Sequence, residues 1–170
     1  MAIDGCKYTF MQLTSSVLPG YMIELRRQMA QPIRMSEFAT KGVGIATLLR
    51  KFNMSEDFKG CYVFMKKEHP IYVGISQTVL KRIFQHVRGT THYSASLAYR
   101  ITATKYPHKV TRNEAMTDAK FINQFNDEQK KLKSLNVAYI EILNPLELYL
   151  FEPYCAMELD TNKWNTFETH

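Results

Sequence analysis

The chain has 170 residues and a mass of 19.8 kDa, about one domain's worth of protein and enough to bury a core, which excludes two large independent domains. Its 45% hydrophobic and 22% charged residues sit at the globular average and exclude wholesale disorder or a low-complexity chain. The net charge of +6 conceals an asymmetry: residues 1–112 carry 17 Lys/Arg against 6 Asp/Glu, and residues 113–170 carry 5 against 10. A basic body with an acidic end points to a polyanionic partner, although scattered lysines also serve simply to solvate a surface.

No stretch reaches the ~18–20 uncharged apolar residues needed to cross a bilayer, and the opening MAIDGCKYTF lacks the basic, apolar, small-residue order of a signal peptide. A protein of the cytoplasm with no membrane partner is expected. Cys6, Cys61 and Cys155 are odd in number and lie 55 and 94 residues apart, which fits neither a disulfide framework nor a zinc spacing. Reduced thiols are expected.

Along the chain, Pro19-Gly20 opens a segment of good helix formers, YMIELRRQMAQ, that stops at Pro32. Ser36 and Glu37 begin a second helical pattern over residues 35–52, weakened by Gly42 and Gly44. The most visible boundary lies near Asp57–Gly60. After it, residues 61–65 (CYVFM) and 71–75 (IYVGI) read as strands joined by a turn at Lys66-Lys67-Glu68-His69-Pro70. The period then changes: Val79, Leu80, Ile83, Phe84 and Val87 mark one helix face, closed by Gly89. Helices follow over residues 92–104 and 113–134, the second ending in Lys130, Lys131 and Lys133, which suit a helix C-terminus. Residues 137–143 (VAYIEIL) read as a third strand. Asn144-Pro145 supplies an N-cap and a proline at N1 for a helix over residues 146–159. Pro153 inside it is expected to remove a backbone hydrogen bond and bend it.

Within this frame Gly60-Cys61-Tyr62 is followed, after nine residues, by Tyr72-Val73-Gly74; Arg82 lies ten residues after Tyr72 and His86 fourteen after; Glu152 falls in the last helix, and Asn165 thirteen residues beyond. This ordered set resembles the GIY-YIG nuclease family, with Cys61 and Val73 in place of the two middle isoleucines. The resemblance covers residues 58–167, with a helical insertion at about 88–135. It implies an α+β fold, a small three-stranded antiparallel sheet flanked by helices, with residues 58–170 forming the nuclease domain; it leaves residues 1–57 unexplained, and these read as a mainly helical extension and a candidate DNA contact. Ile75 stands where repair-type members carry a lysine.

The activity so implied is divalent-metal-dependent hydrolysis of DNA phosphodiesters by in-line attack of water. That reaction needs an activated water, charge stabilisation at the phosphate and departure of an alkoxide. The resemblance makes Glu152 the metal ligand; one carboxylate suffices for Mg²⁺ (with Mn²⁺ able to replace it), because this ion keeps several waters and takes phosphate oxygens. Arg82 and His86, spaced i, i+4, share a helix face, and a guanidinium there bridges two phosphate oxygens. For the general base two candidates stand. A free histidine near pKa ~6.5 is ready at neutral pH, and Arg82 pushes His86 towards neutrality; a tyrosine near ~10 needs activation, yet the resemblance to restriction-type members points to Tyr62. Tyr72 joins Tyr62 on the adjacent strand, and Asn165 fixes the C-terminal loop and orients catalytic groups.

Lys41, Arg50, Lys51, Arg88, Arg100, Lys105, Lys109 and Arg112, interleaved with Tyr93, Tyr99 and Tyr106, are expected to line a phosphate channel. A short chain with a basic extension suits a site-specific, restriction-type enzyme acting on DNA without a small-molecule cofactor. Cutting both strands with one site calls for a homodimer or two visits. The alternatives are a repair or branched-structure nuclease, or a binding module that keeps the fold without the chemistry.

Overall fold

A computed structural model describes residues 3–107 and 110–167. In chain order the elements are a 3-10 turn Ile3–Gly5, α1 (Phe10–Gln12), a wider π-helical segment Leu13–Val17, α2 (Leu18–Met29), β1 (Ile33–Arg34), α3 (Ser36–Ala39), α4 (Ile45–Lys51), β2 (Gly60–Lys66), β3 (His69–Ser76), α5 (Val79–Arg88), α6 (Ser96–Lys105), α7 (Arg112–Ala115), α8 (Ala119–Leu132), β4 (Asn136–Glu141) and α9 (Pro145–Glu158). The class is α+β. Among the described residues no helix is long and apolar enough to cross a membrane. The described chain divides into two compact units, one from residues 1–33, 57–79 and 136–170, the other from residues 34–56 and 80–135.

The first unit is built on the sheet, whose strand order is β1-β4-β2-β3. The count is four strands rather than the expected three. The extra strand, β1, is two residues long and follows Pro32, too short to leave any alternation in the sequence. At the centre β2 pairs antiparallel with both neighbours, Val63 standing opposite Val73 on β3 and Ala138 on β4. Its residues from Gly60 to Met65 are all buried, which is why CYVFM reads as an unbroken apolar run. Lys67, at φ 57°, turns the chain from β2 into β3.

One core joins Cys61, Val63 and Met65 of β2, Val73 of β3, Ala138 and Ile140 of β4, Leu18, Met22 and Leu25 of α2, and Leu148, Phe151 and Cys155 of α9. The 18-22-25 spacing is one helix face, and full burial of each such side chain contributes about 1.5–3 kcal/mol. The compact units do part beside residue 57, but residues 1–33 fall with the strands: α2 completes their core instead of standing outside it. The Tyr21 phenol adds a polar tie, donating to the buried Glu147 carboxylate at 2.5 Å. In α9, Asn144 Oδ1 accepts from the Glu147 N–H at 3.1 Å and Pro145 occupies the first turn, but the helix is not interrupted at Pro153. The carbonyl that Pro153 leaves without an N–H belongs to Tyr149, an exposed residue whose carbonyl water can serve.

In the second unit, the single helix expected over residues 35–52 is two short ones, α3 and α4. Gly42 between them sits at φ +81°, in the left-handed region that breaks a helix and favours glycine. The helix expected over residues 113–134 is likewise divided. Thr111 and Glu114 form a reciprocal capping box for α7, and Asp118 caps α8 by accepting from the Phe121 N–H at 2.8 Å, so the local caps outcompete a continuous helix. Helices α6 and α8 pack together, with Tyr99 and Phe121 rings 5.4 Å apart. The buried Glu128 carboxylate accepts from Lys105 at 2.7 Å, Lys131 at 2.9 Å and Gln124 at 2.5 Å.

Candidate active site

The two tripeptides Gly60-Cys61-Tyr62 and Tyr72-Val73-Gly74 stand on paired strands, with Tyr62 opposite Gly74 and Phe64 opposite Tyr72. Alternation along β2 sends Cys61 and Val63 into the helix-covered core and Tyr62 and Phe64 the other way. The rings of Tyr62, Phe64 and Tyr72 form a cluster: 5.1 Å between Tyr62 and Phe64, 5.7 Å between Phe64 and Tyr72, and 6.3 Å between Tyr62 and Tyr72. Tyr62 is buried and Tyr72 half-buried.

The glycines have a steric reason. At Gly74 a Cβ would fall on the phenol end of Tyr62, and at Gly60 it would strike the backbone carbonyl of Ile140 on β4. The first leaves room for the tyrosine ring above β3. The second lets β2 approach β4.

Asn165 acts on the free edge of β3. Its Oδ1 accepts from the Val73 N–H at 2.9 Å and its Nδ2 donates to the Val73 carbonyl at 2.8 Å, so one side-chain amide imitates a neighbouring strand between Tyr72 and Gly74. Glu152, half-buried, stands on α9 one position after the core residue Phe151. Its carboxylate lies within electrostatic reach of β2. Burial pushes the Cys61 thiol up, and the Cys155 thiol and the Glu152 charge push it further, so Cys61 stays protonated beside Tyr62.

Arg82 and His86 lie on α5. Arg82 Nη1 donates to the Tyr93 carbonyl at 2.9 Å and the Ser94 carbonyl at 3.2 Å, and Nη2 donates to Ser96 Oγ at 2.7 Å. The guanidinium thus holds the loop that leads into α6. Its Nε–H has no acceptor among the described residues. His86 is fully buried. Burial, assisted by the Arg82 charge, lowers its pKa well below the ordinary histidine value, so it is neutral at neutral pH. Arg82 is the lesser cause of that neutrality; desolvation is the greater.

The described cations among those expected to line a phosphate channel belong to the second unit, but the structure gives them different roles. Arg88 donates to the carbonyls of Ala39 at 3.1 Å and Thr40 at 2.7 Å, Lys51 pairs with Glu37 at 2.6 Å, and Lys105 pairs with Glu128; these three are engaged with the protein itself. Lys41 and Arg50 are exposed, Arg100 and Arg112 border one cleft, and Lys109 lies outside the described residues.

Two features escaped the sequence reading. The loop ahead of α6 is closed by Thr91 and Ser94, whose side chains each accept from the other's backbone N–H at 3.1 Å; the Thr-x-x-Ser spacing was the available signal. The buried His92 had none.

Residues 58–135 match the family model described as the GIY-YIG catalytic domain. No curated protein and no solved structure matches the chain. Tyr62, Tyr72, Arg82 and His86 fall inside the matched residues, and Glu152 and Asn165 beyond them. Residues 58–135 are thus similar to a GIY-YIG catalytic domain, with both signature tripeptides side by side on β2 and β3 and their glycines required by the packing.

Proposed function

We propose that the protein is a divalent-metal-dependent DNA endonuclease of the restriction type, hydrolysing phosphodiesters at a defined sequence by in-line attack of water. The observation that carries the reading is the tyrosine pair on β2 and β3, packed at 6.3 Å over a glycine that only the bare backbone can supply. Arg82 is the group that meets phosphate oxygens, through its Nε–H. His86 and Tyr62 are both buried, so burial does not choose between them as the base; burial also holds the His86 pKa well below the ordinary histidine value and makes it a weak proton acceptor. Tyr62 is taken as the base from its place in the first tripeptide.

Glu152, half-buried on α9, is the carboxylate that would hold Mg²⁺, or Mn²⁺ in its place, with water and phosphate oxygens filling the rest of the shell. Such an ion would supply charge neutralisation at the scissile phosphate.

The test is digestion of plasmid DNA with Mg²⁺, Mn²⁺ or a chelator, by the wild-type protein and by Glu152→Gln and Arg82→Ala, with the product ends sequenced. Discrete fragments sharing one end sequence are expected from the wild type with metal. Glu152→Gln should lose metal-dependent cleavage while keeping its melting temperature. Arg82→Ala should lose at least about 10²-fold in rate with only a severalfold loss in DNA affinity. DNA binding without cleavage under every metal condition would overturn the enzymatic reading in favour of a binding module, and cleavage that follows DNA shape would move it to a branched-structure nuclease.

A further inference from the structure

A cleft of about 450 Å³ opens in the second unit beside α6, bordered by His92, Ser96, Tyr99, Arg100, Pro107 and Arg112. Its chemistry is unusual for a plain basic surface. The Arg112 guanidinium lies 5.9 Å from the centre of the Tyr99 ring, and Arg100 follows Tyr99 on the helix, so two permanent cations border the same space. His92 is only 5% exposed, its ring held 3.8 Å from Tyr93 and 5.5 Å from Tyr99 between centroids. It makes no hydrogen bond with a described residue, and its ring nitrogens keep access to solvent, so they are left to water or to a polar group that enters the cleft. Ser96 Oγ accepts from Arg82 and keeps one hydrogen to donate.

We propose that this cleft receives a single unpaired nucleotide of the nucleic-acid strand, its phosphate met by Arg100 and Arg112 and its base edge by His92 and Ser96. The inference rests on the nuclease reading above. A cleft of this size has room for one nucleotide. A paired duplex keeps its bases stacked and shows only their groove edges, and for its phosphates exposed arginines suffice. A nearly buried imidazole serves a ligand that enters, as an unstacked base does. Because Arg82 binds the Ser96 hydroxyl and the Tyr93 and Ser94 carbonyls, the segment that carries His92 is also the segment that holds the candidate phosphate-binding arginine.

The test uses fluorescence anisotropy in the presence of chelator, with a labelled short duplex and the same duplex carrying one unpaired nucleotide. The wild type should bind the second about tenfold more tightly, the scale of one well-placed base contact. His92→Phe, which keeps the ring packing and removes the nitrogens, and Arg112→Gln should each bring that ratio to about one. If His92→Phe lowers the melting temperature, the exposed Arg112→Gln decides. A wild-type ratio of one, or a variant that keeps the wild-type ratio, overturns the proposal. Wild-type protein that cuts plasmid but shows a ratio of one overturns the cleft and leaves the nuclease standing; protein that neither cuts nor binds overturns both.

Discussion

Replacing Gly74 by alanine adds one methyl group where the structure has no space for it. The new Cβ would fall on Oη, Cζ and Cε1 of Tyr62, and that ring cannot simply yield, being 1% exposed and packed 5.1 Å from Phe64 and 6.3 Å from Tyr72. Either the phenol swings or β3 shifts against β2. Overpacking of this kind costs about 1–3 kcal/mol, and the reduced backbone entropy of the unfolded alanine chain returns roughly 0.5–1 kcal/mol. The net loss, up to about 2.5 kcal/mol, should lower the melting temperature by up to about 10 °C in a chain of this size, leaving the protein folded. Cleavage should fall further, about 10²-fold, because displacing a reacting group by an ångström has that effect on rate. The assay pairs a thermal melt with single-turnover cleavage at a temperature well below the transition. Gly60→Ala is the contrast: its Cβ meets the Ile140 carbonyl, a backbone atom that cannot move without parting β2 from β4, so it should destabilise more than Gly74→Ala. Wild-type stability and wild-type cleavage in Gly74→Ala would refute the argument that Tyr62 must occupy that position.

Asn165→Ala should lower stability by about 1–3 kcal/mol, since both hydrogen bonds to Val73 are lost; Asn165→Asp, which sets a carboxylate against the Val73 carbonyl, should do no better, and urea denaturation of the two variants checks this. Stability should also fall with acid in two steps. His86 has a folded pKa below its unfolded value of about 6.5, so its contribution is full above that pH and is lost as pH falls below it. Burial pushes the Glu128 carboxyl up, but the Lys105 and Lys131 ammonium groups outweigh it and hold the pKa below the usual carboxylate range; its contribution is present above about pH 4.3 and is lost below it. Denaturant titrations across pH should show a decline beginning near neutrality that is absent in His86→Phe, and a second decline under acid that is absent in Glu128→Gln.

Much of this could be read before any coordinates were in hand. Apolar runs and turn residues marked β2, β3 and β4, the 79-80-83-84-87 spacing marked α5, and Asn144-Pro145 marked the start of α9; the tripeptides, with Arg82 and His86 in register behind them, pointed to the family. These are local properties, set by period, propensity and spacing along the chain. Where the reading failed, local competition was hidden in a single residue: Gly42 dividing α3 from α4, Asp118 dividing α7 from α8, and β1 too short to show a pattern.

The sequence by itself singled out the candidate residues and the elements that hold most of them, because motif spacing and hydrophobic period act over a few residues. Only the tertiary structure decided what those residues touch. It set Tyr62 over Gly74, laid the Asn165 amide along the edge of β3 and drew α2 into the core of the sheet. It also engaged Arg88, Lys51 and Lys105 with partners inside the protein, so that similar basic residues in the sequence differ in what they can offer a phosphate. Burial and pairing depend on chain segments far apart in sequence, and no local pattern contains them.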